Sequence, residues 1–243
     1  MSKLLFLDTR DSNNPDTPSS TNWEINLPSM NNVRGFNIAL QNIEIPNTVY
    51  PINSKNNKIY FAENGGETLT AALTENSYTG STFATEIQTQ LNAAGTLVYT
   101  VTWDNDAKKL TISVPLPDVF EFISGGQNAY EEMGFDDSLF TQGSSFTSDA
   151  PINISGSQYI DVITNFSTGN HSVGTTSNVL VRVPLNVSFG NIIYYEPSTD
   201  DPLFVTESNL DEVFITMRDS KGNGWDLPFN ANVSLTLKII PLY

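Results

Sequence analysis

Apolar and polar residues alternate with a period of two through much of the last third of the chain, and this pattern limits the folds that it can adopt. The alternation runs through residues 179–185, 213–217 and 233–239, where every second residue is apolar. Because successive side chains of a strand point to opposite faces of a sheet, each run presents one apolar face to a core. The last run places Leu235 on the core face and Thr236 on the opposite face. The sequence therefore predicts a protein built mainly from β-sheets.

Earlier segments carry the same alternation. The apolar residues of 36–40 and those of 43–45 fall on opposite parities, so a bulge near Gln41 and Asn42 is predicted to return them to one face. Eight strands are predicted, centred near Leu5, Ile25, Ile38, Ile160, Val181, Ile193, Ile215 and Leu235. Eight antiparallel strands in two sheets are typical of a jelly roll, so we predict an all-β fold consisting of a single eight-stranded antiparallel jelly-roll sandwich.

One amphipathic helix is predicted in the middle of the chain. Its apolar residues recur at helical spacing: Phe83, Ile87, Leu91 and Ala94. Ser81 or Thr82 is predicted to cap the start of this helix, and Gly95 is predicted to close its end.

A strand hairpin is predicted on each side of this helix, which makes a compact α+β (hairpin–helix–hairpin) unit with a core of its own. Strand patterns lie before and after the unit, so it is predicted to be an insertion between two strands of the sandwich. The predicted domains are a jelly roll in two parts, residues 1–56 and 144–243, and an insertion domain, residues 57–143.

Composition excludes several classes of function. The chain has 27 Asp and Glu residues against 11 Lys and Arg residues, for a formal charge of −16, which disfavours direct binding to nucleic acid or to anionic membranes. No apolar stretch is long enough to span a bilayer, and the N-terminal apolar run is too short for a signal peptide. Cysteine is absent, so disulfides and thiolate chemistry are excluded. We expect a soluble protein made in the cytosol, without membrane insertion.

Residues that could carry catalysis or bind a metal are sparse. His171 is the single histidine, so neither a zinc site nor a thiol dyad can be built on it. Asp136–Asp137, Asp200–Asp201 and Asp104–Asp106 could offer oxygen ligands to calcium, but acidic turns are common without an ion. Paired carboxylates of a glycosidase remain an alternative, although no spacing singles out a pair. The sequence predicts no enzyme activity, no catalytic residue, no cofactor and no metal site.

Aromatic residues stand out in two loop-like segments near the end of the chain. Tyr194, Tyr195 and Phe204 lie close to Gly, Pro and Asp residues, and Trp225 lies in a turn-rich stretch before the last strand. Aromatic residues are enriched at protein interfaces, so these four residues are predicted to form an interface. The alternative is that they fill the ends of the sandwich.

Two strand patterns carry a resemblance to a known family. The first is Trp23–Leu27 followed by Gly35–Thr48, and the second is Glu212–Asp219 followed by Asn232–Leu237. The sequence resembles the small penton, or minor capsid, proteins of virophages, polinton-like viruses and related large DNA viruses whose major capsid protein is a double jelly roll. The resemblance covers the two ends of the chain.

The resemblance implies a structural protein of the virion. One jelly roll would form homopentamers that close the icosahedral vertices of the capsid, next to a major capsid protein with a double jelly roll, and the insertion would project outward. Synthesis in the cytoplasm of the host cell is expected. The alternative function is a carbohydrate- or receptor-binding jelly roll of a spike or fibre, which needs an exposed aromatic platform such as Trp103 or Trp225.

Overall fold

The computed structural model describes residues 2–11, 23–26, 34–136, 141–166, 171–172, 176–199, 202–205, 212–225, 227–228 and 231–242. In chain order, its elements are β1 (Lys3–Asp8), β2 (Trp23–Asn26), β3 (Gly35–Pro46), β4 (Lys58–Glu63), β5 (Thr68–Ala72), α1 (Gly80–Ala94), β6 (Thr100–Asp104), β7 (Lys109–Ser113), β8 (Phe120–Phe122), α2 (Tyr130–Met133), β9 (Ser145–Thr147), β10 (Tyr159–Thr164), β11 (His171–Ser172), β12 (Thr176–Ser177), β13 (Val179–Pro184), β14 (Ile192–Tyr195), β15 (Leu203–Val205), β16 (Glu212–Asp219) and β17 (Ser234–Leu242). Within the described residues, no helix is both long enough and apolar enough to cross a membrane.

The chain divides into two compact units. The first consists of Met1–Val49 and Ser157–Tyr243, and the second consists of Tyr50–Gly156. The second unit is wider at both ends than the predicted insertion, residues 57–143. The physical reason is that Ile52, near its start, is buried in its core, and two isoleucines near its end, Ile152 and Ile154, pack against that core.

Two large antiparallel sheets form most of the first unit, and β11 and β12 pair as a separate two-stranded sheet. The first sheet has the order β1-β17-β3-β14, with β15 also paired to β3, and the second has the order β13-β10-β16-β2. The chain passes from one sheet to the other between β1, β2 and β3, and again between β14, β16 and β17. This order, with the first and last strands paired, is that of a jelly roll, as the sequence predicts.

The two sheets contain nine strands within the described residues, whereas eight were predicted. The additional strand arises because β14 and β15 lie one after the other along the same long strand, β3: Tyr195 pairs with Ile43, and Leu203 pairs with Ile38. Proline cannot donate a backbone hydrogen bond to a ladder. Pro197 follows β14 and therefore interrupts the pairing with β3 between the end of β14 and the start of β15.

A bulge in β3 keeps its apolar side chains on one face. Thr236 of β17 pairs with Asn42, while the next residue, Leu237, pairs with Leu40, so Gln41 is the extra residue. Leu40 and Ile43 are therefore both buried in the core of the first unit. The predicted bulge near Gln41 and Asn42 is confirmed.

The second unit packs one long helix, α1, with two three-stranded sheets, β5-β4-β8 and β6-β7-β9. The helix begins at Gly80, and its N-cap is Thr79 rather than the predicted Ser81 or Thr82. The Thr79 hydroxyl accepts the backbone N–H of Thr82 at 3.3 Å, and the Thr82 hydroxyl accepts that of Thr79 at 2.9 Å. This reciprocal pair is a capping box. Gly95 ends the helix, as predicted.

Glycine at position 80 allows a close contact between α1 and β6. A Cβ atom added at Gly80 would lie 2.4 Å from the indole ring of Trp103. Any other residue here would have to displace this ring. The start of the helix is thus fixed by Thr79 and by the approach of Trp103.

Replacing Tyr50–Gly156 with a short Gly/Ser linker is expected to leave a folded first unit, because each unit has an apolar core of its own. Thermal unfolding of the shortened chain, followed by circular dichroism, should remain cooperative. The matched experiment expresses Tyr50–Gly156 alone, and it should also unfold cooperatively. Loss of cooperative unfolding in either protein would show that the two units depend on each other for folding.

Candidate interaction surface

Strand β1 forms one edge of the first sheet, and its outward side chains are apolar. Leu7 faces the core and is buried, whereas Leu4 and Phe6 point the other way and are 57% and 72% exposed. Lys3, at the start of the strand, is exposed as well, although its side chain lies on the same side of the strand as Leu7. We call Lys3, Leu4 and Phe6 the β1 edge.

The opposite edge of the same sheet, formed by β14 and β15, is also apolar on its outward side. Its buried neighbours Ile193 and Val205 point into the core, so Ile192, Tyr194 and Phe204 point outward and are 63%, 57% and 53% exposed. Two exposed carboxylates accompany them, Glu44 and Glu196. We call Ile192, Tyr194, Phe204, Glu44 and Glu196 the β14–β15 edge.

A polar band separates the two edges. Thr236 lies between Phe6 and Asn42 in the register of the sheet, and Lys238 lies between Leu4 and Ala39. Three strand spacings separate β1 from β14, or roughly 14 Å. The outer face therefore presents two distinct apolar edges instead of one continuous patch. Five of the nine large hydrophobic side chains that are exposed in the described part of the chain lie on these edges.

Gly35 allows β15 to reach the start of β3. A Cβ atom added at this position would lie 2.6 Å from the carbonyl oxygen of Val205 and 3.1 Å from the ring of Phe204. A larger residue would push β15 away from β3. The position of Phe204 on the edge thus depends on a glycine that pairs opposite Leu242 in β17.

Of the four residues predicted to form an interface, Tyr194 and Phe204 lie exposed on the β14–β15 edge. The Tyr194 hydroxyl donates a hydrogen bond to Glu196 at 3.0 Å, and this bond, with the nearby charge of Glu44, raises the pKa of the phenol. Tyr195 points the other way and packs against the core. Trp225 is only 1% exposed, so its ring contributes no exposed surface.

The aromatic pattern did not reveal Leu4, Phe6 or Ile192. Residues 4–7 are all apolar, so the sequence alone gives no sign of which side of β1 faces outward. The pairing of Leu7 with Leu235 supplies that information, because both are buried.

The outer face of the second sheet carries a charged pair, Arg182 and Asp161. Arg182 donates from Nε and Nη2 to the two carboxylate oxygens of Asp161 at 2.8 and 2.9 Å. Its guanidinium carbon lies 3.7 Å from the ring centroid of Tyr159, in a cation–π contact. The hydrogen bond to Asp161 raises the pKa of Arg182 above its usual value. Among the nine exposed large hydrophobic side chains of the described residues, only Phe214 lies on a strand of this sheet, so this face offers less apolar surface to a partner than the first sheet does.

One of the acidic residues considered for metal binding, Asp104, makes hydrogen bonds within its own turn. The carboxylate of Asp104 accepts the backbone N–H groups of Asp106 and Ala107 at 2.8 and 3.0 Å, and the bond from Ala107 contributes most to lowering its pKa. Asp137, Asp200 and Asp201 lie outside the described residues, as does the side chain of His171. Among the residues that the structure describes, no three His, Cys, Asp or Glu side chains are placed to hold a metal ion.

Glu63 of the second unit is a carboxylate with several hydrogen-bond donors around it. It accepts hydrogen bonds from the backbone N–H of Thr96 at 2.9 Å, the hydroxyl of Thr96 at 2.6 Å, the N–H of Leu97 at 3.1 Å and the hydroxyl of Tyr99 at 3.1 Å. Burial is the largest single influence and raises the pKa of Glu63, but these hydrogen bonds together outweigh it, so the net pKa lies below the usual value. Glu63 thus anchors the loop after α1 to the end of β4.

Glu63→Gln is expected to destabilise the second unit by about 1–3 kcal/mol at pH 7, because an amide cannot accept all of these donors. A lowered pKa in the folded state stabilises the fold above the unfolded pKa of about 4.3, and this contribution is lost as the pH falls through the folded value. The difference between the two proteins should therefore shrink in urea unfolding below about pH 4. Glu67→Gln, on the exposed β4–β5 turn, is the control. Equal stability at pH 7 would contradict the anchoring role of Glu63.

Comparison with known proteins places this fold in a class. No family model and no curated protein matches the sequence. Among solved structures, the fold is similar to that of a viral penton. That structure is the selenomethionine-labelled mavirus penton protein, which aligns over 100% of both chains with a TM-score of 0.52 and 10% sequence identity. The flagellar cap protein FliD from Escherichia coli aligns with a TM-score of 0.18 and 8% identity over 96% and 98% of the two chains, which is too weak to carry an argument. The resemblance to pentons drawn from the sequence is confirmed at the level of the fold.

Proposed function

We propose that this protein is a structural protein of a virion, a penton whose copies form pentamers that close the icosahedral vertices of the capsid. The observation that carries the proposal is the alignment with the mavirus penton protein, which extends over the whole of both chains and so includes the inserted unit. Its partners are then four further copies of itself and a major capsid protein with a double jelly roll. The protein is made in the host-cell cytoplasm and has no catalytic role.

Two exposed apolar edges on the outer face of one sheet support assembly. Interfaces are enriched in aromatic and large apolar side chains, and Phe6, Tyr194 and Phe204 are of this kind. An isolated exposed apolar residue needs no explanation, but a concentration of them on one sheet marks an interaction site.

We propose in addition that the inserted unit projects outward from the vertex. In support, the chain enters and leaves this unit at one place: a Cβ atom added at Gly156 would lie 3.1 Å from the Cα atom of Pro51. The two ends of the inserted unit therefore lie side by side, as expected for an insertion into a single connection of the sandwich.

The carbohydrate-binding alternative is not favoured by its two candidate platforms. Trp225 is buried, and the ring of Trp103 is approached by the backbone of Gly80. Trp225 therefore offers no ring face for stacking against a sugar, and Trp103 is partly buried against the core of the second unit.

The proposed function is tested by solution mass and by imaging of particles. Native mass spectrometry of the purified chain should show a pentamer, and an epitope inserted between Gly65 and Gly66, on an exposed turn of the second unit, should label only the vertices of particles. A trimer or monomer that binds glycans, or labels spread over the faces of the capsid, would overturn the proposal in favour of a spike or another capsid position.

A further inference from the structure

We propose that neighbouring copies of this chain join head to tail, with the β1 edge of one copy against the β14–β15 edge of the next. The inference rests on the proposed function, because it takes the occupant of each edge to be a second copy of this chain. It goes beyond that function by assigning the two halves of the contact to named residues.

The apolar side chains of the two edges provide the first argument. Leu4 and Phe6 on one edge, and Ile192, Tyr194 and Phe204 on the other, are each more than half exposed in a single copy. Contact between the two edges would remove all five from water at once. Burial of apolar area is the main favourable term in most protein association.

Charge provides the second argument and selects which edge meets which. The β1 strand carries exposed Lys3, and its one carboxylate, Asp8, is paired with Arg10 at 2.7 Å. The β14–β15 edge instead carries exposed Glu44 and Glu196. Contact between different edges places charges of opposite sign together, while contact between two β14–β15 edges would crowd four carboxylates. Like charges juxtaposed across an interface are costly. The net charge of −16 on each copy opposes association at long range, but physiological salt screens exposed charges beyond about 8 Å, so the local charges decide the pairing.

The geometry of the contact also agrees with a ring. When two different surfaces of the same chain meet, the growing assembly always has one free surface of each kind, one on its first copy and one on its last. A ring forms when the rotation between copies brings these two free surfaces together. A self-complementary contact would instead stop at a dimer. Head-to-tail contact between the two edges is therefore the kind of interface that a pentamer requires.

Side chains, more than backbone pairing, are expected to make this contact. Pro197 and Pro202 lie in the interval between β14 and β15, and proline lacks the N–H that sheet extension needs. The exposed side chains of the two edges are therefore the groups that meet.

Complementation between two variants tests the inference. Phe6→Asp disables the β1 edge, and Ile192→Asp disables the β14–β15 edge, each at an exposed position where the fold should be retained. Each variant alone should show the loss of all species larger than a monomer in native mass spectrometry. An equimolar mixture should form a heterodimer and nothing larger, because one intact edge of each kind remains. Leu116→Asp, which is exposed in the second unit, is the control and should remain pentameric.

Two results would overturn the inference while leaving the proposed function in place. If the unmodified chain and both edge variants are all pentameric, other surfaces make the ring. If one variant alone forms a dimer, its remaining edge pairs with itself, and the contact is not head to tail.

A crosslinking arm covers the case in which the purified unmodified chain is monomeric. The chain has no cysteine, so Phe6→Cys and Tyr194→Cys each introduce a single thiol. With a short bis-maleimide at high protein concentration, the mixture of the two variants should give several-fold more crosslinked dimer than either variant alone. Equal yields, or no crosslink in the mixture, would overturn the inference, while vertex labelling of particles continues to test the proposed function separately.

Discussion

Leu235→Asp is expected to leave the first unit unfolded, with loss of the strand signal in far-ultraviolet circular dichroism and of any cooperative thermal transition from that unit. Leu235 is buried in β17, between Leu7 on β1 and Ile43 on β3. A carboxylate at this position must be desolvated without a partner or become protonated, which costs several kcal/mol. Loss of the leucine packing adds about 2–5 kcal/mol. A domain is stable by only about 5–15 kcal/mol, so the combined loss approaches the whole margin.

Leu4→Asp is the matched control, because it places the same substitution on the neighbouring strand but on the outer face. Leu4 is exposed and pairs opposite Lys238, so its replacement should leave the fold intact. Thr236→Asp, which the alternation of β17 suggests as a control, is less suitable: Thr236 does face away from the core, but it is only 9% exposed. Equal unfolding of the Leu235 and Leu4 variants would show that the assignment of inner and outer faces is wrong.

Strands with one solvent-exposed face were predictable because the alternation of apolar and polar residues repeats along each of them. All eight predicted centres, from Leu5 to Leu235, lie within strands of the structure. The strands β8, β9 and β15 were not predicted, because three residues are too few to show a period. Each is held in place by a neighbour, as in the pairing of Phe122 with Phe61 and of Phe146 with Ile112. Such pairings join residues far apart in sequence, so local patterns carry no sign of them.

The exposed aromatic side chains were only partly predictable, for a similar reason. Aromatic residues near loops drew attention to Tyr194 and Tyr195, but adjacent strand residues point to opposite faces, so only one of them is exposed. Trp225 was predicted to lie at the same interface because it is in a turn-rich stretch. In the structure its backbone N–H bonds to the carbonyl of Met217 at 3.1 Å, and the loop folds back so that the ring enters the core. The return of a loop over a core is set by tertiary contacts, which residue types alone do not reveal.

Phe120→Ala is expected to destabilise the second unit selectively. Phe120 is fully buried on β8, and its ring meets those of Tyr99, Phe122 and Phe146 edge-on, with centroids 5.3, 5.5 and 4.9 Å away. Truncation of a buried phenylalanine costs about 3–5 kcal/mol. Because Phe120 also loses three edge-to-face ring contacts, we expect a cost in the upper part of this range. For a domain of this size the melting temperature should fall by roughly 10–30 °C.

Differential scanning calorimetry of the whole chain distinguishes the two units in this experiment. Because the first unit has its own core, its transition should stay at the same temperature while the transition of the second unit moves down. Phe214→Ala is the matched control: it removes the same ring from an exposed position on β16, outside the two edges, and should move neither transition by more than a few degrees. A single transition that shifts as a whole in Phe120→Ala would show instead that the two units unfold together, and the insertion would then be an integral part of one cooperative fold.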